Sequence, residues 1–444
     1  MDGSSKEGIV PVSMRLQPDR TAAMPHYRRM VLANDLVVLI SEERSLPMVS
    51  IYFLLDGGAG RDPEGKQGLA NLTVEALRLG TVSYSGLQVD EELDFTGASL
   101  ESFCDRDFAV VGFHTLKRNL MRGLDVFREI LMHPTFPEKE IGRKIAEVQA
   151  TIRSSAEEPA SVAEKAFRKA LYGKSPYGHP VEGFEESLNT ISRDDIVEFY
   201  RRHYHPNIGI LAVVGDIGSR EDLSSILAPL EEWRAADIPP ELFESDILEG
   251  PRLVEAARSI DQAHIVLGHG GIDRANPDYY AISVMNNILG AGGFSSRLMK
   301  KIRSDTGLAY SVESIFNAHK HRGSFRVVVQ TRNASAVEVI GIVLDEMKRI
   351  REDGVTAQEL STAKKYLSRR FPIRVMGRDS FARFIAQVEY YGLGRDYYNK
   401  YASYIESVKR EEVHHAARDY LHPDRCVISI VADLEKVDLT RLKI

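Results

Sequence analysis

Apolar residues recur at helical spacing between Gly68 and Thr81, GLANLTVEALRLGT. Leu69, Leu72, Ala76 and Leu79 form one stripe, with Ala70, Val74 and Leu77 on the adjoining face. This spacing predicts a helix, and Gly80 stops it. Asn71, Val74 and Glu75 stand at i, i+3 and i+4 and so share one face of that helix. Upstream, residues 29–41 alternate as a hairpin around Asn34-Asp35, and Met48–Leu55 reads as a third strand rich in β-formers. The Gly-rich stretch 56–68 lacks the Lys-Ser/Thr ending of a phosphate-binding loop and reads as a lead into the helix. Residues 100–112 predict one or two more strands, and helical patterns follow at 116–132, 137–156 and 160–171.

Two stretches repeat one pattern. SRDDIVEFYRRHY, then His205-Pro206-Asn207, then IGILAVVGD ends the first half. KREEVHHAARDY, then His422-Pro423-Asp424, then CVISIVAD ends the second. His205 with His422, Pro206 with Pro423, Val214 with Val431 and Asp216 with Asp433 all give an offset of 217, since 422 − 205 = 217. In a chain of 444 residues this predicts a tandem duplication, one copy per half. Pro239-Pro240, the acidic run after it and Gly250-Pro251 mark a linker. The expected bodies are residues 12–232 and 252–444, joined by 233–251. Strands and helices mix without regular β-α-β alternation, which predicts an α+β fold with mainly antiparallel sheets.

Composition narrows the class. At 43% apolar and 27% charged the chain is of globular type, and its length suits two or more domains. A net charge of −7 argues against nucleic acid as a partner. Two cysteines, Cys104 and Cys426, cannot build a disulfide framework or a Cys-based metal site. No apolar run approaches the ~20 residues of a membrane-spanning helix. The first residues lack a basic start and an apolar core, so as given they read as cytoplasmic; a removed signal peptide would make the protein periplasmic.

The Gly68–Thr81 frame resembles the zinc helix of the insulinase/pitrilysin metallopeptidases, in which Gly-Leu-Ala-His opens H-x-x-E-H. There two imidazoles hold zinc and the carboxylate is the general base. Here Asn71, Val74 and Glu75 fill the first His, the Glu and the second His positions. The family's last ligand, a Glu ahead of an Asp-x-Pro, falls at or beside Thr151, with Glu147 one turn earlier. The resemblance therefore implies no metal in this chain. His414-His415, His319 and His321 offer no substitute set.

Residues 289–314, LGAGGFSSRLMKKIRSDTGLAYSVES, match another family segment. Ser295 or Ser296 is expected to cap a helix to about Ser304, Gly307 to end it, and Ala309–Phe316 to form a strand. In the family an Arg and a Tyr in this spacing, here Arg303 and Tyr310, steady the substrate carbonyl as it turns tetrahedral. The plain alternative is an Arg that complements a helix C-terminus and a half-buried strand Tyr.

The resemblance thus implies two homologous α+β domains and a non-catalytic subunit, inactive alone. Its partner would be a homologous chain that carries H-x-x-E-H and zinc, and its substrate a peptide. Gly290–Gly293 is too short for the Gly-rich loop of the mitochondrial processing peptidase subunit, which points to the bacterial two-chain type. The alternative is an inert peptide-binding or structural homodimer of the same descent.

Overall fold

The computed structural model describes residues 26–218, 220–238 and 250–442. The expected linker therefore lies largely outside the described residues, as does the start of the first body. The strands are β1 Arg28–Val31, β2 Val37–Glu42, β3 Met48–Leu55, β4 Ser99–Cys104, β5 Ala109–Leu116, β6 Gly209–Gly215, β7 Arg252–Ala257, β8 Gln262–Gly270, β9 Ala309–Asn317, β10 Ser324–Arg332 and β11 Val427–Ala432. Helices of the first half are α1 Leu69–Ala76, α2 Gly86–Thr96, α3 Leu120–Met132, α4 Glu138–Glu157, α5 Pro159–Tyr172, α6 Glu185–Leu188, α7 Arg193–His203 and α8 Arg220–Leu227. Those of the second are α9 Tyr279–Asn286, α10 Ala336–Asp353, α11 Ala357–Arg374, α12 Arg378–Tyr390, α13 Tyr397–Ser407 and α14 Arg410–Tyr420.

Each half builds one sheet. The orders are β1-β2-β6-β3-β5-β4 and β7-β11-β8-β10-β9. With the added β1 set aside, the two orders are the same. Each sheet has one parallel pair, β2 with β6 and β7 with β11, and the other pairs are antiparallel. The 217-residue offset holds for elements as well as residues: α7 begins at Arg193 and α14 at Arg410, and 410 − 193 = 217. α1, between β3 and β4, and α9, between β8 and β9, occupy corresponding places. Ile282 and Met285 of α9, and Leu289 just after it, are buried. The described chain is thus α+β, two copies of one plan.

The long apolar runs reflect sheets that are covered on both faces. Side chains alternate along a strand, yet MVSIYFLL is buried from Val49 onward. Val49, Ile51, Phe53 and Leu55 face the helices of their own half. Tyr52 and Leu54 face the other way, and there they meet Phe381, Ala382, Ile385 and Ala386 of α12, a helix of the second half. The exchange is mutual. α5 of the first half lays Ala163, Phe167 and Leu171 on Val266, Val427 and Val431 of the second sheet. Arg168 and Arg326 both meet Glu164 there, at 2.7 and 3.1 Å.

A polar clasp sits beside the α12 crossing. Lys320 Nζ lies 2.8 Å from Asp56, and the Tyr390 hydroxyl donates to the same carboxylate at 2.9 Å. Tyr177 donates to Asp107, whose other oxygen accepts the Lys320 N–H at 2.9 Å. Donors on the β9–β10 connection and α12 thus engage acids at the ends of β3 and β4. The chain also folds back after α8: Trp233 packs on Phe53 at 5.5 Å, and Asn207 bonds Ala236.

Candidate functional site

Two places carry the chemistry expected from the sequence. The first is α1. Gly68 enters it at φ +97, and a Cβ there would stand 2.6 Å from the Glu182 carbonyl oxygen, so both conformation and space require glycine. The Asp62 carboxylate accepts the N–H groups of Gly68 and Ala70, each at 2.7 Å, and so caps the helix. Burial pushes the Asp62 carboxyl up to about 8, against the pull of those two donors. α1 then tightens into a 3-10 turn at Leu77–Leu79 before Gly80.

The expected face is present but is already paired. Asn71 donates to Glu75 Oε1 at 3.1 Å, and Val74 is buried in the core. Lys144 of α4 reaches Glu75 at 3.4 Å and Glu147 at 2.9 Å. Thr151 is exposed and donates to the Glu147 carbonyl of its own helix at 3.2 Å. These residues do not fit a zinc ion. An amide, an alkyl group and a carboxylate neutralised by an ammonium replace two imidazoles and a base. Lys144 went unremarked in the sequence, although its place three residues before Glu147 puts both on one side of α4. Among the described residues, Glu101, His114 and Asp379 are the group close enough to share an ion. Arg383 lies 3.3 Å from Glu101 and 3.9 Å from Asp379 and offsets their charge.

The second place is residues 287–317. α9 runs on into a π-helical turn, Asn287–Ala291. A Cβ on Gly290 would meet Ser314 Oγ at 2.5 Å and its backbone nitrogen at 2.7 Å, so this turn can touch β9 only as glycine. A second π-helical stretch, Met299–Asp305, brings Arg303 to its last turn. Such wide turns recur where a helix is adapted to function. Ser296 stands at the start of this stretch as expected, its carbonyl accepting the Lys300 N–H at 3.0 Å, but the serine side chains do not cap it. Ser295 and Ser296 donate to the carbonyls of Gly292 and Gly293, at 2.9 and 2.7 Å, rather than accepting from the helix start. Gly307 ends the stretch as expected, its N–H donating to the Arg303 carbonyl at 3.1 Å.

Arg303 and Tyr310 come together. The Arg303 guanidinium carbon stands 4.5 Å from the Tyr310 ring centre and 4.7 Å from that of Phe294. Tyr310 is 80% exposed and Phe294 72%, so neither ring serves the core. No ion pair or hydrogen bond engages the Arg303 side chain among the described residues. The result is a cation between two open aromatic faces, with its N–H donors free. Plain strand alternation would put Tyr310 on the same face as Val312; the register shifts between them, Val312 pairing with Val329 and Ala309 with Thr331, and Tyr310 faces out. Phe294 was missed; its signal was a lone aromatic in a run of Gly and Ser.

Comparison with known proteins fits this arrangement. Residues 37–184 match the model of the insulinase family, peptidase family M16, and residues 190–367 match the peptidase M16 inactive domain. The chain belongs to the M16 family. An uncharacterized zinc protease of Streptomyces coelicolor is 24% identical over 421 residues, 94% of this chain and 91% of that protein. The uncharacterized zinc protease YmxG of Bacillus subtilis is 24% identical, over 77% of this chain and 82% of its own. The crystal structure of a peptidase M16 inactive domain from Pseudomonas fluorescens superposes with a TM-score of 0.83 at 27% identity. It covers 91% of this chain and 98% of that one. A protease from Helicobacter pylori shares the fold, with a TM-score of 0.84 at 19% identity over 92% and 100% of the two chains. Zinc therefore belongs to the family, while this M16 chain keeps the zinc helix without its ligands.

Proposed function

We propose that this M16 chain is the non-catalytic subunit of a two-chain zinc peptidase and supplies Arg303 and Tyr310 to the active site of a homologous partner that carries H-x-x-E-H. The observation that carries the reading is the exposed pair itself. Arg303 lies against the Tyr310 ring with no carboxylate partner, and Tyr310 stands clear of the core. Guanidinium and phenol donate hydrogen bonds and do not take up protons near neutrality. Such donors suit an oxygen that gains negative charge, and α1 of this chain has no base or metal ligands for them to serve. The two bodies are taken as residues 12–232 and 252–444, with the first residues of the 233–251 stretch folded back on the first sheet. The isolated chain is expected to be inactive.

The test is peptide hydrolysis by the reconstituted pair, with each chain alone as control. Tyr310→Phe should lower kcat by a factor of ~100 to 1,000, the loss typical of one oxyanion donor. Assembly and the partner's zinc content should not change. Full activity in Tyr310→Phe and Arg303→Ala pairs, or in the zinc-bearing chain alone, would leave this protein as a scaffold or an inert homodimer.

A further inference from the structure

A cavity of about 490 Å³ opens in the second half, between the end of α11, α12 and the start of α13. It is of a size that small-molecule sites commonly have. Its walls are aromatic: Phe371, Phe384, Tyr391 and Tyr397 line it, with Phe371 stacked on Tyr401 at 3.9 Å. Its charge is cationic. Arg274 is only 9% exposed, with its guanidinium carbon 3.6 Å from the centre of the Tyr279 ring and one N–H donated to the Tyr397 hydroxyl at 2.8 Å. No carboxylate lies within ion-pair distance of Arg274 among the described residues. Arg374, in the last turn of α11, lines the same cavity and is exposed, again with no ion-pair partner described. Arg383 and a carboxylate, Asp379, also line it and offset each other 3.9 Å apart, with Glu101 3.3 Å from the same guanidinium.

A buried guanidinium without a counterion is costly, and phenols and ring faces compensate it only in part. Arg274 has five N–H donors, one of them given to the Tyr397 hydroxyl, and an anion in the cavity would accept from those that face it. The aromatic walls exclude a heavily hydrated dianion, and a planar carboxylate matches the guanidinium fork. We propose that this cavity binds a carboxylate carried on a flat apolar body, with Arg274 at the floor and Arg374 at the mouth as its anchors. The terminal residue of a peptide and a free aromatic acid share that chemistry. The site is separate from Arg303 and Tyr310 and does not depend on their role.

The test is calorimetric titration of the full chain with N-acetyl-Ala-Ala-Phe, the same peptide as its C-terminal amide, 3-phenylpropionate and inorganic phosphate. The acid should bind about 10- to 100-fold more tightly than the amide, the range for a charge-assisted bond. Arg274→Gln should weaken the acid by a similar factor, and the exposed Arg374→Ala by a smaller one. If Arg274→Gln does not fold, Arg374→Ala and the acid–amide comparison decide. Tighter binding of the peptide acid than of phenylpropionate assigns the site to peptide ends, and the reverse order to free aromatic acids. Equal affinity for acid and amide, phosphate bound as tightly as the acids, no effect of Arg374→Ala, or no binding at millimolar ligand each overturns the proposal.

Discussion

His269 should make the fold acid-sensitive in a way that one substitution removes. It lies on β8, 3% exposed, and its ring stacks on Phe325 at 5.1 Å. Its Nδ1 faces the Gly270 carbonyl at 2.8 Å and its Nε2 accepts the His422 N–H at 3.0 Å. The first contact requires a proton on Nδ1 and the second forbids one on Nε2, so the folded state holds one neutral tautomer. Burial drives its pKa down to about 3, against the pull of the bond to the Gly270 carbonyl; His422 and Arg351 lower it further and Asp424 opposes them. An unfolded His titrates near 6.5. Between those values the unfolded state binds a proton that the folded state refuses. The sign follows: nothing is lost above about pH 6.5, and stability falls as pH drops below it, by up to about 1.4 kcal/mol per unit. From pH 7 to pH 5 this amounts to about 2 kcal/mol.

His269→Gln keeps an acceptor for the His422 N–H and does not titrate. Its stability relative to wild type should rise by about 2 kcal/mol as pH is lowered from 7 to 5. His203, held down to about 3 mainly by its own burial, contributes a similar slope to both proteins and cancels in the difference. The assay is urea unfolding followed by circular dichroism at several pH values. A difference between the two proteins that stays constant within about 0.5 kcal/mol from pH 7 to 5 would refute the reasoning.

Three further outcomes are expected. Elemental analysis of chain purified without chelator should find no stoichiometric zinc at α1; one zinc per chain, lost in Glu75→Ala, would contradict the pairing of Glu75 with Asn71 and Lys144. Phe167→Ala, in α5 on the second sheet, should destabilise by about 3–5 kcal/mol in urea unfolding, as a fully buried ring requires, and a loss under about 1 kcal/mol would deny α5 its place. Gly290→Ala should cost about 1–3 kcal/mol, because its Cβ would strike Ser314, and an unchanged midpoint would mean that the turn yields freely.

Much of this fold was legible in the sequence because the burial is regular. The run from Met48 to Leu55 is apolar on both faces, and the strand is covered on both. The repeated His-Pro turns carried the duplication because each separates a helix from a strand in the same way. What no pattern could say was which sheet a helix would cover. An apolar stripe on α5 or α12 records that a face is buried, not what buries it. Side-chain partnerships across distant segments were hidden for the same reason. Lys144 reaching Glu75, and Lys320 reaching Asp56, depend on how helices and loops cross and not on local spacing. At residues 287–317 the glycines and the Arg303–Tyr310 interval were visible, but the π-helical winding that sets their geometry was not.

The mutual loan of α5 and α12 bears on how such a chain could arise. A single ancestral half would have had one bare sheet face, with residues such as Tyr52, Leu54, Val110 and Val214 open to water. Such a face is covered at once if a second copy lends its helix and borrows one in return, which is the geometry of a two-fold symmetric dimer. Joining two such copies end to end keeps both loans and turns an association between molecules into one within a chain. The 217-residue repeat is then a record of a dimer made permanent. Two halves cut apart in the connecting stretch and produced together would be expected to find each other again, while either half produced alone would carry an uncovered apolar sheet.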